Sequence, residues 1–250
     1  MLLLAPVQSA PPASFSGIQS DPARYKDLLF EAQAFRGKVY LEDGAIQASQ
    51  LTDGRHADPI DEKSWHLLVL DSFHRICGCM RYSLHSAGRG IRELTVLRSA
   101  LARSPQWAQE VETALHAEVA MAEQQAHGIV EAGGWALSKE IRGTVEALRM
   151  ALASFAICEE WGGAIGLSTV TERHCSASIL RRIGGRSLES NGSPLPTYYD
   201  PQYDCRMELL RFHSWAPNPR YRVWVEQIQA ELRRIPVITP ACRTYAASFG

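Results

Sequence analysis

Apolar residues recur every three to four positions in several stretches of the chain, the spacing of helices that bury one face. The first stretch follows Ser20, Asp21 and Pro22, where a capping residue precedes a proline, as is typical of a helix start. Ser104 and Pro105 mark a similar start inside a second stretch. The predicted helices are the stretch after residue 20 and the segments 90–127, 144–161, 173–183 and 221–235.

Short apolar or alternating runs between these helices predict strands. The run 65–71 is almost wholly apolar, as in strands buried on both faces. The run 76–84 alternates, which places Met80 on one face and Arg81 on the other. The predicted strands or extended segments cover 37–46, 65–71, 76–84, 129–139, 164–171 and 203–212. Helices interleaved with strands predict a mixed α/β (α+β) fold, a central sheet flanked by helices, with a helical insert at about 90–127.

The first twenty residues are briefly apolar and then rich in proline and serine. Their apolar run is shorter than that of a secretory signal, and no basic residues precede it. We therefore expect residues 1–20 to form a flexible leader, with a cleaved signal peptide as the alternative. We expect residues 21–250 to form a single domain, because this length suits one large domain.

Composition narrows the range of functions. Apolar residues make up 46% of the chain and charged residues 21%, as in globular proteins with a sizeable core. The net charge of −1 gives no basic field, so nucleic acid is not an expected partner. No apolar run approaches the ~18 residues of a bilayer span, so we expect no integral membrane segment. The six scattered cysteines form no Cys-x-x-Cys pair; we expect reduced thiols, no metal site and a cytoplasmic location.

A charged corner between the strand 129–139 and the next helix is the first candidate for chemistry. The first turn of a helix has free N–H groups and a partial positive charge, so it favours phosphate. Gly143 removes a side chain that would hinder close approach. We predict that Arg142, Gly143, Thr144 and Val145 bind phosphate; the alternative is an ordinary helix start capped by Thr144.

The order of elements around this corner resembles the GNAT acyltransferase fold. In that superfamily the corner reads Arg/Gln-x-x-Gly-x-Gly/Ala, and its amides bind the pyrophosphate of the acyl carrier's pantetheine arm. Arg142 and Ala147 match the motif, whereas Val145 stands where glycine is usual. The resemblance implies a thioester-bound acyl donor, either acyl-CoA or acyl carrier protein, used as a co-substrate, and no cofactor.

Further residues resemble one branch of the superfamily, the acyl-homoserine-lactone synthases and the long-chain N-acyl amino acid synthases. The matching positions are Arg36, Asp58, Asp61 and Arg81, and the likeness covers 25–212. It implies that these four bind the acceptor, with Arg81 holding an acceptor carboxylate. The alternative for Arg81 is a structural salt bridge to Asp58 or Asp61. The two aspartates either order a loop over the acyl site, act as base or merely cap that loop.

The chain departs from the lactone synthases at one pair of positions. Those enzymes usually carry Glu-x-x-Arg on the strand before the corner, and the equivalent residues here are Ala136 and Lys139. Simple GNAT enzymes often use a tyrosine to protonate the leaving thiolate, and its equivalent here is Leu180. The missing Glu-x-x-Arg pair favours direct amide formation over lactone chemistry. The missing tyrosine and the altered phosphate motif instead favour a non-catalytic protein that binds acyl thioesters.

Acyl transfer needs a hydrogen-bond donor for the thioester oxygen and a base for the amine. A strand N–H near Ala136 to Ser138 is the predicted donor. Glu140 is the candidate base, with a solvated surface residue as the alternative. The basic cluster of Arg181, Arg182 and Arg186 suits an acidic acyl carrier protein or coenzyme phosphates, and equally a solvated helix face.

Together these observations predict an N-acyltransferase that moves a long-chain acyl group from an acyl thioester to the amine of an amino acid. Two other functions stay open: an acyl-homoserine-lactone synthase, and a non-catalytic protein that binds acyl thioesters.

Overall fold

Helices and strands alternate along the chain, and the predicted mixed α/β class is confirmed. The computed structural model describes residues 1–7, 9–86, 88 and 90–240. Its helices are α1 (Pro22–Glu42), α2 (Ala108–Gln124), α3 (Val145–Glu160), α4 (Ser176–Ile183) and α5 (Arg222–Leu232). Its strands are β1 (Leu2–Leu4), β2 (Gly17–Ser20), β3 (Trp65–Leu70), β4 (Ile76–His85), β5 (Gly128–Leu137), β6 (Ala164–Thr171), β7 (Arg186–Ser187), β8 (Glu189–Ser190), β9 (Ser193–Pro194), β10 (Tyr198–Asp200), β11 (Cys205–His213) and β12 (Pro236–Thr239).

Ten strands of the described chain form one sheet. Nine of them lie in the order β10-β11-β6-β5-β4-β3-β1-β12-β2, and the tenth, β7, pairs with β11. The strands β8 and β9 form a separate hairpin. The pair β5–β6 is parallel, which requires a crossover connection, and α3 supplies it. The strand β12 is parallel to both of its neighbours, β1 and β2.

Helices cover both faces of this sheet. On one face α3 and α5 pack on alternate residues of the central strands, such as Met80, Tyr82 and Val130. On the other face α1 packs on residues of β1, β3 and β4, and α2 packs on Ile129 and Ile165. This two-residue alternation is why a single strand such as β4 contributes to two separate cores.

Two sheet strands, β1 and β2, lie within the first twenty residues, where a flexible leader was expected. Leu3 is fully buried and pairs with Leu67 on β3 and Val237 on β12. The strand β2 then adds an edge beside β12. Three consecutive leucines suit a strand covered on both faces. The expectation failed because the partner strand β12 lies more than two hundred positions away in the sequence.

The segment 37–46, predicted as a strand, is the end of α1 and a following turn. The helix tolerates Gly37 because the loop at residue 56 packs closely there: a Cβ would lie 2.9 Å from the backbone nitrogen of His56. The insert 90–127 is also less helical than predicted, since a 3-10 helix, Thr95–Arg98, precedes turns and then α2.

Five of the cysteines, Cys77, Cys79, Cys158, Cys175 and Cys205, are free thiols. Cys242 lies outside the described residues. In the part of the chain that the structure describes, none of the helices combines the length and the apolar character needed to cross a membrane.

Candidate active site

The parallel strands β5 and β6 separate and open a cavity in the sheet. Their pairing is limited to 128–131 with 164–167. Beyond it, 132–135 and 168–171 line opposite walls of a cavity of about 200 Å³. Within the described chain, residues 132–135 form no strand pairing with β6, although the Ala132 carbonyl accepts a hydrogen bond from the Ser168 hydroxyl at 2.8 Å. Because backbone N–H and C=O groups need partners, this edge offers hydrogen bonds to a bound molecule.

A β-bulge lies on the wall of the cavity. Cys79 pairs with Ala136 and Arg81 with Gly133, so Gly134 and Trp135 together oppose a single residue of β4. A bulge of this kind bends its strand, which accounts for the departure of β5 from β6. Gly134 has φ of 63°, and a Cβ at this position would lie 3.0 Å from Nη1 of Arg36. The bulge therefore requires glycine for both backbone conformation and space.

Gly134→Ala is expected to lower the free energy of unfolding by more than Gly54→Ala. Gly54 also has positive φ, 74°, but a Cβ there meets no described atom within 4 Å. Each alanine costs about 1–2 kcal/mol for the left-handed backbone, and only the one at 134 also presses on Arg36. Urea unfolding of both variants beside the parent measures the difference. Equal losses would contradict the close contact that we describe.

A buried ion cluster supports the same wall from behind. Asp61 is fully buried and lies 2.6 Å from Arg36 and 2.8 Å from Arg81. Asp58 lies 3.4 Å from Arg81. The structure thus brings together all four residues predicted to bind the acceptor, and Arg81 makes the salt bridges that were its alternative role. Of the four, Arg81 also lines the cavity.

The environment of Asp61 fixes its charge. Burial alone would raise the pKa of this carboxyl, but the hydrogen-bonded guanidinium of Arg36, together with Arg81, holds the pKa well below its usual range. The carboxylate also accepts hydrogen bonds from Gln33 and from the backbone N–H of Asp58, each at 3.0 Å. A carboxylate so fully occupied orders the loop 58–61 and is a poor base.

The predicted phosphate corner lies beside the mouth of the cavity. Arg142 donates two hydrogen bonds of 2.7 Å to the carboxylate of Asp43, a residue of the cavity wall. Thr144 caps α3 by accepting from the N–H of Glu146 at 3.2 Å. Gly143 has φ of 71° and Val145 is exposed. The four residues therefore form an open helix start, joined to the cavity through Asp43.

The predicted donor strand and base lie outside the cavity lining. Ala136 is buried against α1, and the N–H of Ser138 donates to the carbonyl of Cys77 at 2.8 Å. Glu140 is exposed, and the nearby Ser138 hydroxyl and backbone lower the pKa of its carboxyl, which weakens it as a base. The segment that meets the cavity is 132–135, because the bulge ends the alignment with β6 earlier than a regular strand would. The Gly133–Gly134 pair was the available signal.

Sequence reasoning missed several residues of the cavity wall. His174 Nε2 lies 3.4 Å from Asp43, and Arg173 donates to the backbone carbonyls of Asp43 and Asp204. Tyr203 also faces the cavity, and burial raises the pKa of its hydroxyl. Nothing in the spacing of these residues indicated that they meet. The polar lining residues missed include Tyr40, Asp43, Arg173, His174 and Tyr203.

Glu131 connects the cavity wall to the insert. Its carboxylate accepts hydrogen bonds from the N–H and hydroxyl of Thr95, from the N–H of Val96 and from His85. Burial favours a raised pKa, but the hydrogen bonds from His85 and Thr95 lower the pKa of this carboxyl. Glu131 therefore remains charged and holds the 3-10 helix of the insert against β5.

An apolar extension adjoins the cavity toward α3 and α4. It is a small void of about 20 Å³ that shares Met80, Ala132, Ser168 and Leu180 with the main cavity. Leu180, proposed as the equivalent of the GNAT tyrosine, lies at the cavity and offers no proton. Phe155 and Phe212 line the far side of this void. The residues around this void are mostly apolar, and its volume has room for about one water-sized group.

The sequence matches no protein-family model and no curated protein. The fold matches that of the CoA-dependent acyl-homoserine lactone synthase BjaI, solved with SAM and isopentyl-CoA, with a TM-score of 0.55 and 15% identity over 89% of this chain and 90% of that one. For the CoA-dependent synthase MesI the TM-score is 0.51, with 15% identity over 86% and 93% of the two chains. For FeeM, an N-acyl amino acid synthase from uncultured soil microbes, the TM-score is 0.49, with 10% identity over 77% of this chain and 86% of that one. The expected resemblance to the GNAT-like fold of this branch is confirmed.

Proposed function

We propose that this chain is an acyltransferase that moves an acyl group from a thioester to the amine of an acceptor held in the cavity between β5 and β6. The observation that carries the proposal is the separation of these strands beside the bulge at 133–135. A thioester oxygen becomes anionic during attack, and N–H groups of the strand edge that has left β6 are suited to stabilise it. Holding both reactants in one cavity supplies the remaining advantage, a high effective concentration.

The donor's phosphates are proposed to bind at the start of α3, on Arg142, Gly143, Thr144 and Val145. The ion pair between Arg142 and Asp43 holds this corner at the cavity mouth. A Cβ at Gly143 would meet no described atom within 4 Å, so the approach to the first-turn amides is open. Free N–H groups at a helix start attract phosphate. The pantetheine arm then extends from this corner into the cavity.

The acceptor is proposed to lie against Arg81, on the wall supported by Arg36, Asp58 and Asp61. Deprotonation of its amine is assigned to His174, because a positioned imidazole nitrogen can accept a proton as a general base. Among the described residues of the cavity lining, His174 is the one imidazole. Asp43, at 3.4 Å, is placed to stabilise its protonated form. Glu140, the candidate base from the sequence, is exposed and lies outside the cavity lining, so His174 is preferred as the base.

The finer proposal is a long-chain N-acyl amino acid synthase that uses acyl-CoA or acyl carrier protein. Ala136 is buried away from the cavity, and Lys139 is exposed and pairs with Glu42 at 3.3 Å. Neither residue supplies the glutamate or the arginine of the Glu-x-x-Arg pair that lactone synthases usually carry at these two positions. A lactone synthase is the second candidate, favoured by the fold match to BjaI, whose structure contains SAM. A non-catalytic acyl-thioester-binding protein is the third.

The test is a transfer assay with purified protein. Acetyl, octanoyl and tetradecanoyl thioesters of CoA are supplied with a mixture of amino acids, or with SAM. Free thiol and product masses are recorded. We expect N-acyl amino acids from the long donors and slow reaction of acetyl, since each buried CH₂ adds at most about 0.8 kcal/mol. Lactone formation from SAM, or a preference for acetyl, would contradict the finer proposal. Donor binding without thiol release would support the binding protein.

A further inference from the structure

We infer that Arg173 is the anion-binding residue of the cavity, and that it holds a carboxylate or phosphate group of a substrate. The inference rests on the proposed function and adds to it the residue that recognises substrate charge. Arg173 lies between the end of β6 and α4, at the cavity wall. The anion has two sources, the carboxylate of the acceptor or a phosphate of the donor.

The argument begins with the charges that face the cavity. Arg81 is matched by Asp61 at 2.8 Å and by Asp58 at 3.4 Å. Asp43 is matched by Arg142 through two bonds of 2.7 Å. Because the buried cluster holds two arginines and two aspartates, a substrate carboxylate on Arg81 would compete with carboxylates already in place. The predicted binding of the acceptor carboxylate by Arg81 is therefore less favourable than the sequence indicated.

Arg173 differs because its partners are neutral. One Nη donates to the backbone carbonyl of Asp43 at 3.0 Å and the other to the carbonyl of Asp204 at 2.7 Å. The carboxylate of Asp204 accepts a hydrogen bond from Tyr199 instead. No carboxylate of the described chain lies within 4.0 Å of the Arg173 guanidinium. This half-buried guanidinium thus forms no salt bridge with the described residues, although it lies at the cavity wall.

The same two bonds fix the guanidinium in position. The carbonyl of Asp43 follows the end of α1 and that of Asp204 precedes β11, so Arg173 is held from two separate elements. The next two residues, His174 and Cys175, have φ of 53° and 60°, which turns the chain sharply away. A guanidinium has five donors, and those not bonded to the carbonyls stay available for a planar anion. A fixed fork of this kind suits bidentate binding of carboxylate or phosphate.

The test uses three variants of the full chain. Arg173→Gln removes the charge and keeps amide donors for the two carbonyls, whereas Arg173→Lys keeps the charge and loses the fork. Arg206→Gln is the matched control, because Arg206 is an exposed arginine outside the cavity that pairs with Glu172 at 3.7 Å. Each variant is assayed with amino acids against amino acid amides as acceptors, and with acyl-CoA against acyl-pantetheine as donors.

We expect Arg173→Gln to raise the KM of either the amino acids or acyl-CoA by at least about tenfold. The KM of the corresponding uncharged analogue, the amino acid amide or acyl-pantetheine, should stay unchanged. Arg173→Lys should be intermediate, and Arg206→Gln should match the parent. An effect confined to the acceptor pair identifies the carboxylate as the source, and one confined to the donor pair identifies the phosphate. Equal effects on both members of each pair, or no effect, would overturn the inference.

A second measurement separates this inference from the proposed function. If the parent protein transfers no acyl group, the proposed function fails. Calorimetric titration then compares CoA with pantetheine, and N-tetradecanoyl amino acids with their amides, for the parent and Arg173→Gln. Weaker binding of the anionic ligand alone in the variant supports the anion site. Identical binding of all ligands to both proteins contradicts it.

Discussion

Asp61→Asn is expected to lower the free energy of unfolding by about 3–5 kcal/mol, the usual cost of breaking a buried ion pair. The variant keeps the shape of the side chain and removes its charge. Arg81 then keeps Asp58 at 3.4 Å, whereas Arg36, whose side chain is 3% exposed, loses the carboxylate it pairs with. Urea denaturation followed by circular dichroism measures the loss.

The matched control for this prediction is Asp53→Asn. Asp53 also pairs with an arginine, Arg55 at 3.5 Å, but its side chain is 80% exposed. Exposed pairs contribute little, so the control should stay within about 0.5 kcal/mol of the parent. A loss at Asp61 no larger than that at Asp53 would show that the buried cluster does not stabilise the fold.

The same carboxyl predicts a pH dependence. The pKa of Asp61 is lower in the folded protein than in the unfolded chain, so its contribution to stability is present above the unfolded value of about 3.9. This contribution is lost as pH falls through the folded pKa, since the unfolded state then binds the proton more tightly. Below about pH 5 the parent should lose stability faster than Asp61→Asn does. Parallel decline of the two proteins would contradict the depressed pKa.

Leu3→Ala is expected to cost about 2–5 kcal/mol, the range for leucine deletions in a core. Leu3 is fully buried between β3 and β12, and a flexible segment would show no such loss. Val7→Ala is the control from the same end of the chain, because Val7 is 53% exposed. Urea unfolding of both variants measures the difference. If Leu3→Ala unfolds at the same urea concentration as the parent does, the expectation that residues 1–20 form a flexible leader would stand.

Continuous apolar runs made most of the fold predictable. The runs at Trp65–Leu70 and Ala164–Thr171 are strands within one residue of the prediction, because a run buried on both faces has a simple pattern. Other elements depend on distant partners. The strand at Leu2–Leu4 requires Pro236–Thr239 beside it, and the last turns of α1 are helical despite β-branched and aromatic residues such as Val39 and Tyr40.

The candidate site was predictable where the resemblance to the lactone synthases and N-acyl amino acid synthases supplied the residues. Two arginines and two aspartates, Arg36, Asp58, Asp61 and Arg81, were expected together, and they meet. The cavity wall was not predictable, because it depends on where β6 leaves β5. A one-residue bulge moved the exposed strand edge from 136–138 to 132–135.

Arg173 and His174 escaped prediction for a related reason. Both follow β6 in a short segment whose backbone geometry the sequence does not encode as a recognised turn, since His174 and Cys175 adopt positive φ without glycine. Their approach to Asp43, at the end of α1, joins parts of the chain 130 residues apart.

The central claim is that the cavity between β5 and β6 holds the thioester of an acyl donor. A crystal structure of the protein with tetradecyl-CoA, a thioether that cannot transfer its chain, tests this claim most directly. The account predicts the sulfur atom beside 133–135, the phosphates at the start of α3, and the hydrocarbon directed toward Phe155 and Phe212. A ligand bound elsewhere, with β5 and β6 separated by an empty cavity, would contradict it.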